Sequence, residues 1–316
     1  MRNSASLSTR RTGVLLAAMT AVISGFAVFI NGYGVRAWAG TASPTSYTTL
    51  KNGVAALVLL AFGLALTRRR SREGFTRPSG RRQWIGLSLV AALGGALAFA
   101  LFFEGLARAS SSQAAFIHKT LIIWVGILAV GLLHEKLRAM HLAAIGLLVA
   151  GQFVLVGGIS DVTIGVGELM IFGATLLWSV EIILSKRLLA ELSSLTVGLA
   201  RMAGGAAMLI VFGIVNGSLG AIGAVSLTQI GWVLVTGIVL SGYVASWYAA
   251  LARAPALDVT SILVVGAVIT ALLRSVVDGA AVPPPLGLGL LLGGPAVAIV
   301  AALRAVHDGP AVELHS

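Results

Sequence analysis

Apolar runs fill most of the chain, and polar residues are confined to short breaks between them. A run of about 18 or more apolar residues is long enough to cross a hydrocarbon core of about 30 Å as a helix. The pattern predicts ten such spans, at roughly 13–35, 46–67, 84–106, 112–133, 141–158, 164–185, 195–215, 228–250, 259–277 and 286–303. The breaks are short except for RRRSREGFTRPSGRRQ at 68–83. The expected class is an all-α integral membrane protein with ten transmembrane helices.

Composition supports this class. Of 316 residues 58% are apolar and only 10% charged, and mean hydropathy is +0.98. So few charges could not cover the surface of a soluble domain. There are no cysteines, which excludes disulfides and Cys-ligated metals. A formal charge of +11 would suit nucleic acid until the charges are located. With the N-terminus inside, the inner loops and ends hold Arg2, Arg10, Arg11, Arg68, Arg69, Arg70, Arg72, Arg77, Arg81, Arg82, Lys136, Arg138, Lys186, Arg187, Arg253 and Arg304. Only Arg36 and Arg108 lie outside. This asymmetry places both termini in the cytoplasm and the chain in the inner (cytoplasmic) membrane, and no nucleic-acid partner is expected. TRRTGVLL at 9–16 is similar to a twin-arginine signal, and Ala37-Trp38-Ala39 to a cleavage site. The Phe-Leu-Lys continuation is missing, so an uncleaved first helix is expected.

The chain resembles itself. FEGLARASSSQAAFI (103–117) aligns with YAALARAPALDVTSI (248–262), and GLLVAGQ (146–152) with GLLLGGP (289–295). Each copy, 13–158 and 164–303, then holds five helices. Five is odd, so the copies insert with opposite orientation, with Arg108 outside and Arg253 inside. Inverted repeats mark secondary transporters, whose substrate site usually lies near the midplane between the repeats.

These features carry a resemblance to EamA-type permeases of the drug/metabolite transporter superfamily, over roughly 13–303. It rests on the 5+5 plan, on GLARASSSQAAFI after the third helix, and on Glu135-Lys136-Leu137 closing the fourth. Two departures stand out: Asp278 followed by Pro283-Pro284-Pro285, and Ile122, Ile123 and Trp124 where a helix-4 proline is often found. The resemblance implies two inverted five-helix repeats around a central cavity. Helices 1, 3 and 4 with their mates 6, 8 and 9 would line it, and helices 5 and 10 would be peripheral. It also implies export or uptake of small organic metabolites, amino acids or organic anions among them, without ATP hydrolysis. No Walker-type loop occurs in the sequence.

Ionisable residues inside the spans are candidate chemistry, because a charge at the bilayer centre costs about 2.5–3.5 kcal/mol on insertion scales. Lys119 lies too deep to snorkel, and Ser112 and Ala115 share its face. It is expected to line the substrate path as a docking point for a carboxylate or phosphate, or to pair with a buried acid such as Glu104. His118 points elsewhere, either hydrogen-bonding across helices or carrying protons. Glu181 and Arg201 come at similar depth on adjacent helices, which suits a buried ion pair or a cytoplasmic gate. Trp178 shares the Glu181 face, as packing or as a substrate platform. Glu104–Arg108 and Arg274–Asp278 are i,i+4 pairs at helix ends. Lys51 is expected to snorkel, Glu168 to face a helix N-terminus and Asp258 to be an N-cap. Asn31-Gly32-Tyr33-Gly34 is either an outer hinge or a frayed helix end. His134-Glu135 lacks the second zincin histidine, since position 138 is Arg138, so neither a metal nor a cofactor is expected. The expected partners are a small-molecule substrate and the lipid bilayer, with a homodimer left open. The rival readings are a membrane-embedded enzyme acting on lipid headgroups and a non-transporting scaffold or sensor. The scatter of polar residues over both halves of the bilayer weighs against the enzyme.

Overall fold

The computed structural model describes residues 2–38, 40, 43–69, 71, 73–106, 108–109, 117–135, 137, 139–156, 165–215, 217, 225–280, 282 and 284–307. The side chains of 2–8, 152, 155–156 and 301–307 are not included. All regular structure among these residues is helical: α1 (Arg2–Trp38), α2 (Pro44–Arg68), α3 (Arg81–Leu106), α4 (Ile117–Leu133), α5 (Ala139–Val156), α6 (Val166–Leu188), α7 (Ser194–Val215), α8 (Leu227–Arg253), α9 (Ala256–Val277) and α10 (Pro285–His307). By length and composition seven are able to cross a membrane: α1, α2, α3, α6, α7, α8 and α9. The apolar parts of the other three, Ile117–Leu133, Ala139–Gly151 and Pro285–Val300, are shorter.

The helix starts follow from local chemistry. Ser43, Ser193 and Ser226 each accept a hydrogen bond from the backbone N–H three residues on, at 3.1, 3.2 and 3.3 Å. Each satisfies one of the first-turn donors that have no partner inside the helix. Pro44 follows Ser43 at the first helical position, where its missing N–H costs nothing. α1 starts well before the expected boundary, because its polar leading segment continues the helix.

Packing divides the helices into two similar sets. α1 runs along α8 and α9, and α6 runs along α3 and α4. Exchanging first-half helices for their second-half counterparts converts one set into the other. α2 packs on α8, α7 on α3, and α5 against α10. Large apolar side chains such as Leu57, Val211, Ile214 and Val276 stay exposed on the outside of the bundle. That distribution suits a lipid solvent and would be costly in water.

Both α3 and α7 contain a π-helical stretch, at Ala91–Leu97 and Ala200–Gly204. The two helices cross there, at Gly95 within the first stretch and at Gly205 just past the second. A Cβ on Gly95 would overlap the Arg201 carbonyl oxygen, and one on Gly205 would overlap the Gly95 backbone. Only glycine lets the two backbones come this close. The altered π pairing also accompanies two carbonyls that accept side-chain donors, Gly94 from Trp178 Nε1 (3.1 Å) and Gly95 from Asn52 Nδ2 (3.2 Å).

Candidate functional site

A polar seam runs through the middle of the bundle where α1, α2 and α3 meet α6, α7 and α8. On one side is Glu181 of α6, 1% exposed. Its carboxylate accepts hydrogen bonds from Ser185 Oγ (2.5 Å) and Tyr248 Oη (2.6 Å) and stands 3.8 Å from the Arg201 guanidinium. Arg201 lies in the π stretch of α7, 5.5 Å from the centroid of the Phe99 ring. On the other side is Lys51 of α2, 3% exposed. It donates to Asn31 Oδ1 of α1 (3.2 Å) and lies 5.3, 4.8 and 5.9 Å from the ring centroids of Tyr47, Phe103 and Phe99. Phe99 therefore lies within about 6 Å of two buried cations. Tyr47 Oη ties Asn31 (3.1 Å) to Thr236 of α8 (2.9 Å).

Aromatic rings continue the seam toward α4. Trp178 packs edge-on against Phe99 at 5.4 Å, and His118 lies 5.0 Å from Trp178 and 5.2 Å from Phe102. Among the described residues five buried side-chain polar atoms have no partner, and four belong to this region: Thr48 Oγ1, Asn52 Oδ1, His118 Nδ1 and Arg201 Nε. Native interiors rarely leave such atoms unanswered, which makes this region the candidate site.

A second polar cluster sits at the start of α9. Asp258 is fully buried and binds Arg10 (2.7 Å) and His141 (3.1 Å). The first amides of α9, at Ala256 and Leu257, donate to the Glu135 carboxylate (2.8 and 3.3 Å). Lys186 of α6 donates to the carbonyls of Leu251 and Ala254. The α6 set is thus pinned to the α8–α9 corner.

The sequence-derived candidates fall into three groups. Trp178, His118, Glu181 and Arg201 come together at the seam. Glu104 and Arg108 form their i,i+4 pair (2.8 Å), and Glu104 also accepts from Thr45 of α2 (3.0 Å) and forms no ion pair with Lys119. Lys119 is half-buried and pairs with no carboxylate among the described residues, while Ser112 lies outside them. Three expectations are corrected. Arg274 and Asp278 form no ion pair: both are exposed, and Asp278, just past the end of α9, accepts instead from the Tyr33 hydroxyl. Asp258 is not an N-cap, because Pro255 holds that position and Glu135 serves the free amides. Lys51 does not snorkel, because Asn31 and three aromatic rings hold its ammonium inside.

Lys51, Asn31, Phe99 and Tyr248 were missed as site residues. One sequence signal points to the first two. Shifting by 150 residues from Ser43 to Ser193 superposes the two helix N-caps, and the same shift carries Lys51 onto Arg201 and Asn31 onto Glu181.

The family model of the EamA-like transporter family matches the sequence twice, over residues 11–157 and 165–302. A solved crystal structure, described only as that of a protein, superposes with a TM-score of 0.70 at 20% identity, covering 92% of this chain and 98% of the other. At that identity the likeness concerns the fold alone. No curated protein matches the sequence.

Proposed function

The chain belongs to the EamA-like transporter family, matched in two copies, and from that premise we propose that it is a secondary active transporter of small organic metabolites such as amino acids or organic anions. It is a multi-pass membrane protein, and in this reading all ten helices span the inner membrane as two inverted five-helix repeats with both termini cytoplasmic. The solute sits at the seam between the halves and is exposed to each side in turn.

The observation that carries this reading is the seam itself. Two buried cations from corresponding helices lie within about 6 Å of one aromatic ring, and the same helices and their neighbours carry buried polar atoms without protein partners. A purely structural interior would satisfy or remove such groups. The α9 cluster fits the same mechanism. The Lys186 and Glu135 contacts join the two helix sets at the cytoplasmic side, and the oppositely facing state would have to release them. In this reading Lys119, half-buried on α4 next to His118, contributes to the solute path as a docking point for an anionic group. The partners are a small solute and the bilayer, with a homodimer left open.

The test is counterflow in proteoliposomes with amino acids, organic acids and cationic drugs, using wild type and Lys119→Ala. Accumulation of an amino acid or organic acid, reduced in Lys119→Ala, is expected. Turnover of lipid headgroups without flux of any solute would contradict the reading.

A further inference from the structure

Building on the transporter reading above, we infer that Lys51 anchors a carboxylate of the transported solute, with Thr48 supplying a second donor. The two halves of the chain build the same constellation from corresponding residues. Eight residues past the serine N-cap of α2 stands Lys51, and eight past that of α7 stands Arg201. Each cation faces a residue near the end of the preceding helix, Asn31 in one half and Glu181 in the other. Each half adds an α3 or α8 aromatic from the aligned Leu-Ala-Arg-Ala segments, Phe103 beside Lys51 and Tyr248 on Glu181.

The halves differ in charge. Arg201 is answered by a carboxylate. Lys51 is answered by an amide oxygen and the faces of aromatic rings, and no carboxylate among the described residues pairs with it. The nearby acids are engaged elsewhere: Glu104 with Arg108 and Thr45, Glu181 with Arg201, Tyr248 and Ser185. Thr48, three residues before Lys51 and on the same helix face, is fully buried with its hydroxyl unpartnered. An ammonium and a hydroxyl on one face match the two oxygens of a carboxylate. A single uncompensated positive charge suits a monoanionic head better than a phosphate dianion. The surrounding rings suit an apolar body attached to it.

The test uses purified full-length protein, read by ligand-induced thermal stabilisation in detergent and by counterflow in proteoliposomes. The probes are the common amino acids and short mono- and dicarboxylates, each paired with its amide, together with inorganic phosphate. At least one carboxylate should stabilise and move while its amide does neither. Lys51→Gln should raise the half-saturating concentration about tenfold or more, and Lys51→Arg should restore most of the affinity. Asn31→Asp places a carboxylate beside the ammonium and should weaken solute binding in the same way, which guards against a Lys51→Gln variant that fails to fold. Equal action of acid and amide overturns the inference while leaving transport standing. So does carboxylate binding that survives Lys51→Gln but is lost in Lys119→Gln, and so does Lys51-dependent stabilisation by phosphate alone. Lys51-dependent carboxylate binding without any flux overturns the transport reading instead. No stabilisation and no flux with any probe overturns both.

Discussion

Glu181 is the most heavily committed acid in the seam, holding Ser185, Tyr248 and Arg201 at once. Replacing it with Gln leaves a guanidinium buried without a counter-charge. Removing one partner of a buried pair typically costs about 3–5 kcal/mol. At 3.8 Å the contact is loose, so the lower end, about 3 kcal/mol, is expected for Glu181→Gln. Thermal unfolding in detergent checks this. The double variant Glu181→Gln/Arg201→Met should recover part of the loss, because the uncompensated charge is gone. At this scale the sequence was only partly legible. Glu181 and Arg201 could be matched by depth, because antiparallel neighbours equalise distance from one membrane face. Depth alone places Lys51 at the interface, because a long side chain can reach it from there. What holds Lys51 inward is Asn31 from another helix and the rings of Tyr47, Phe99 and Phe103. No local pattern around position 51 encodes those contacts. The fate of Asp258 was hidden for the same reason, since Arg10 and His141 reach it from far along the chain.

Among the elements, the π stretches of α3 and α7 accompany a backbone-to-backbone approach at Gly95 and Gly205. Gly95→Ala should destabilise by about 1–3 kcal/mol, as overpacking does when the neighbour is backbone and cannot turn away. Gly146→Ala on the exposed face of α5 is the control. Nothing lies within 4 Å of its added methyl, and helix propensity favours alanine there by about 1 kcal/mol. Melting curves of the two variants should therefore move in opposite directions. Gly94-Gly95 and Gly204-Gly205 stand in the sequence as small-residue signals for close helix packing, and the helices themselves as apolar runs. The π geometry was not visible, because it arises from fitting two helices together at Gly95 and Gly205 and from no residue's own preference. Helix ends were legible where a serine cap supplies the signal, as at Ser43, Ser193 and Ser226. At α1 the expected start at 13 follows the apolar run, and the helix runs on to Arg2.

For the whole molecule, the repeated Leu-Ala-Arg-Ala segment at 106–109 and 251–254 was the most informative stretch of sequence. It pointed to the two-copy plan that the family model matches. In the proposed reading each copy has five spans, so equivalent residues of the two halves face opposite sides of the membrane, and the transport proposal depends on that inversion. The chain has no cysteine, so a single introduced thiol reports its own location. Arg108 and Arg253 occupy equivalent positions, with side chains 51% and 24% exposed. The decisive measurement is labelling of Arg108→Cys and Arg253→Cys with a membrane-impermeant maleimide, in vesicles of right-side-out and inverted orientation. The account predicts that Arg108→Cys reacts from the outer face and Arg253→Cys only from the cytoplasmic face. Reaction of both from the same face would contradict it.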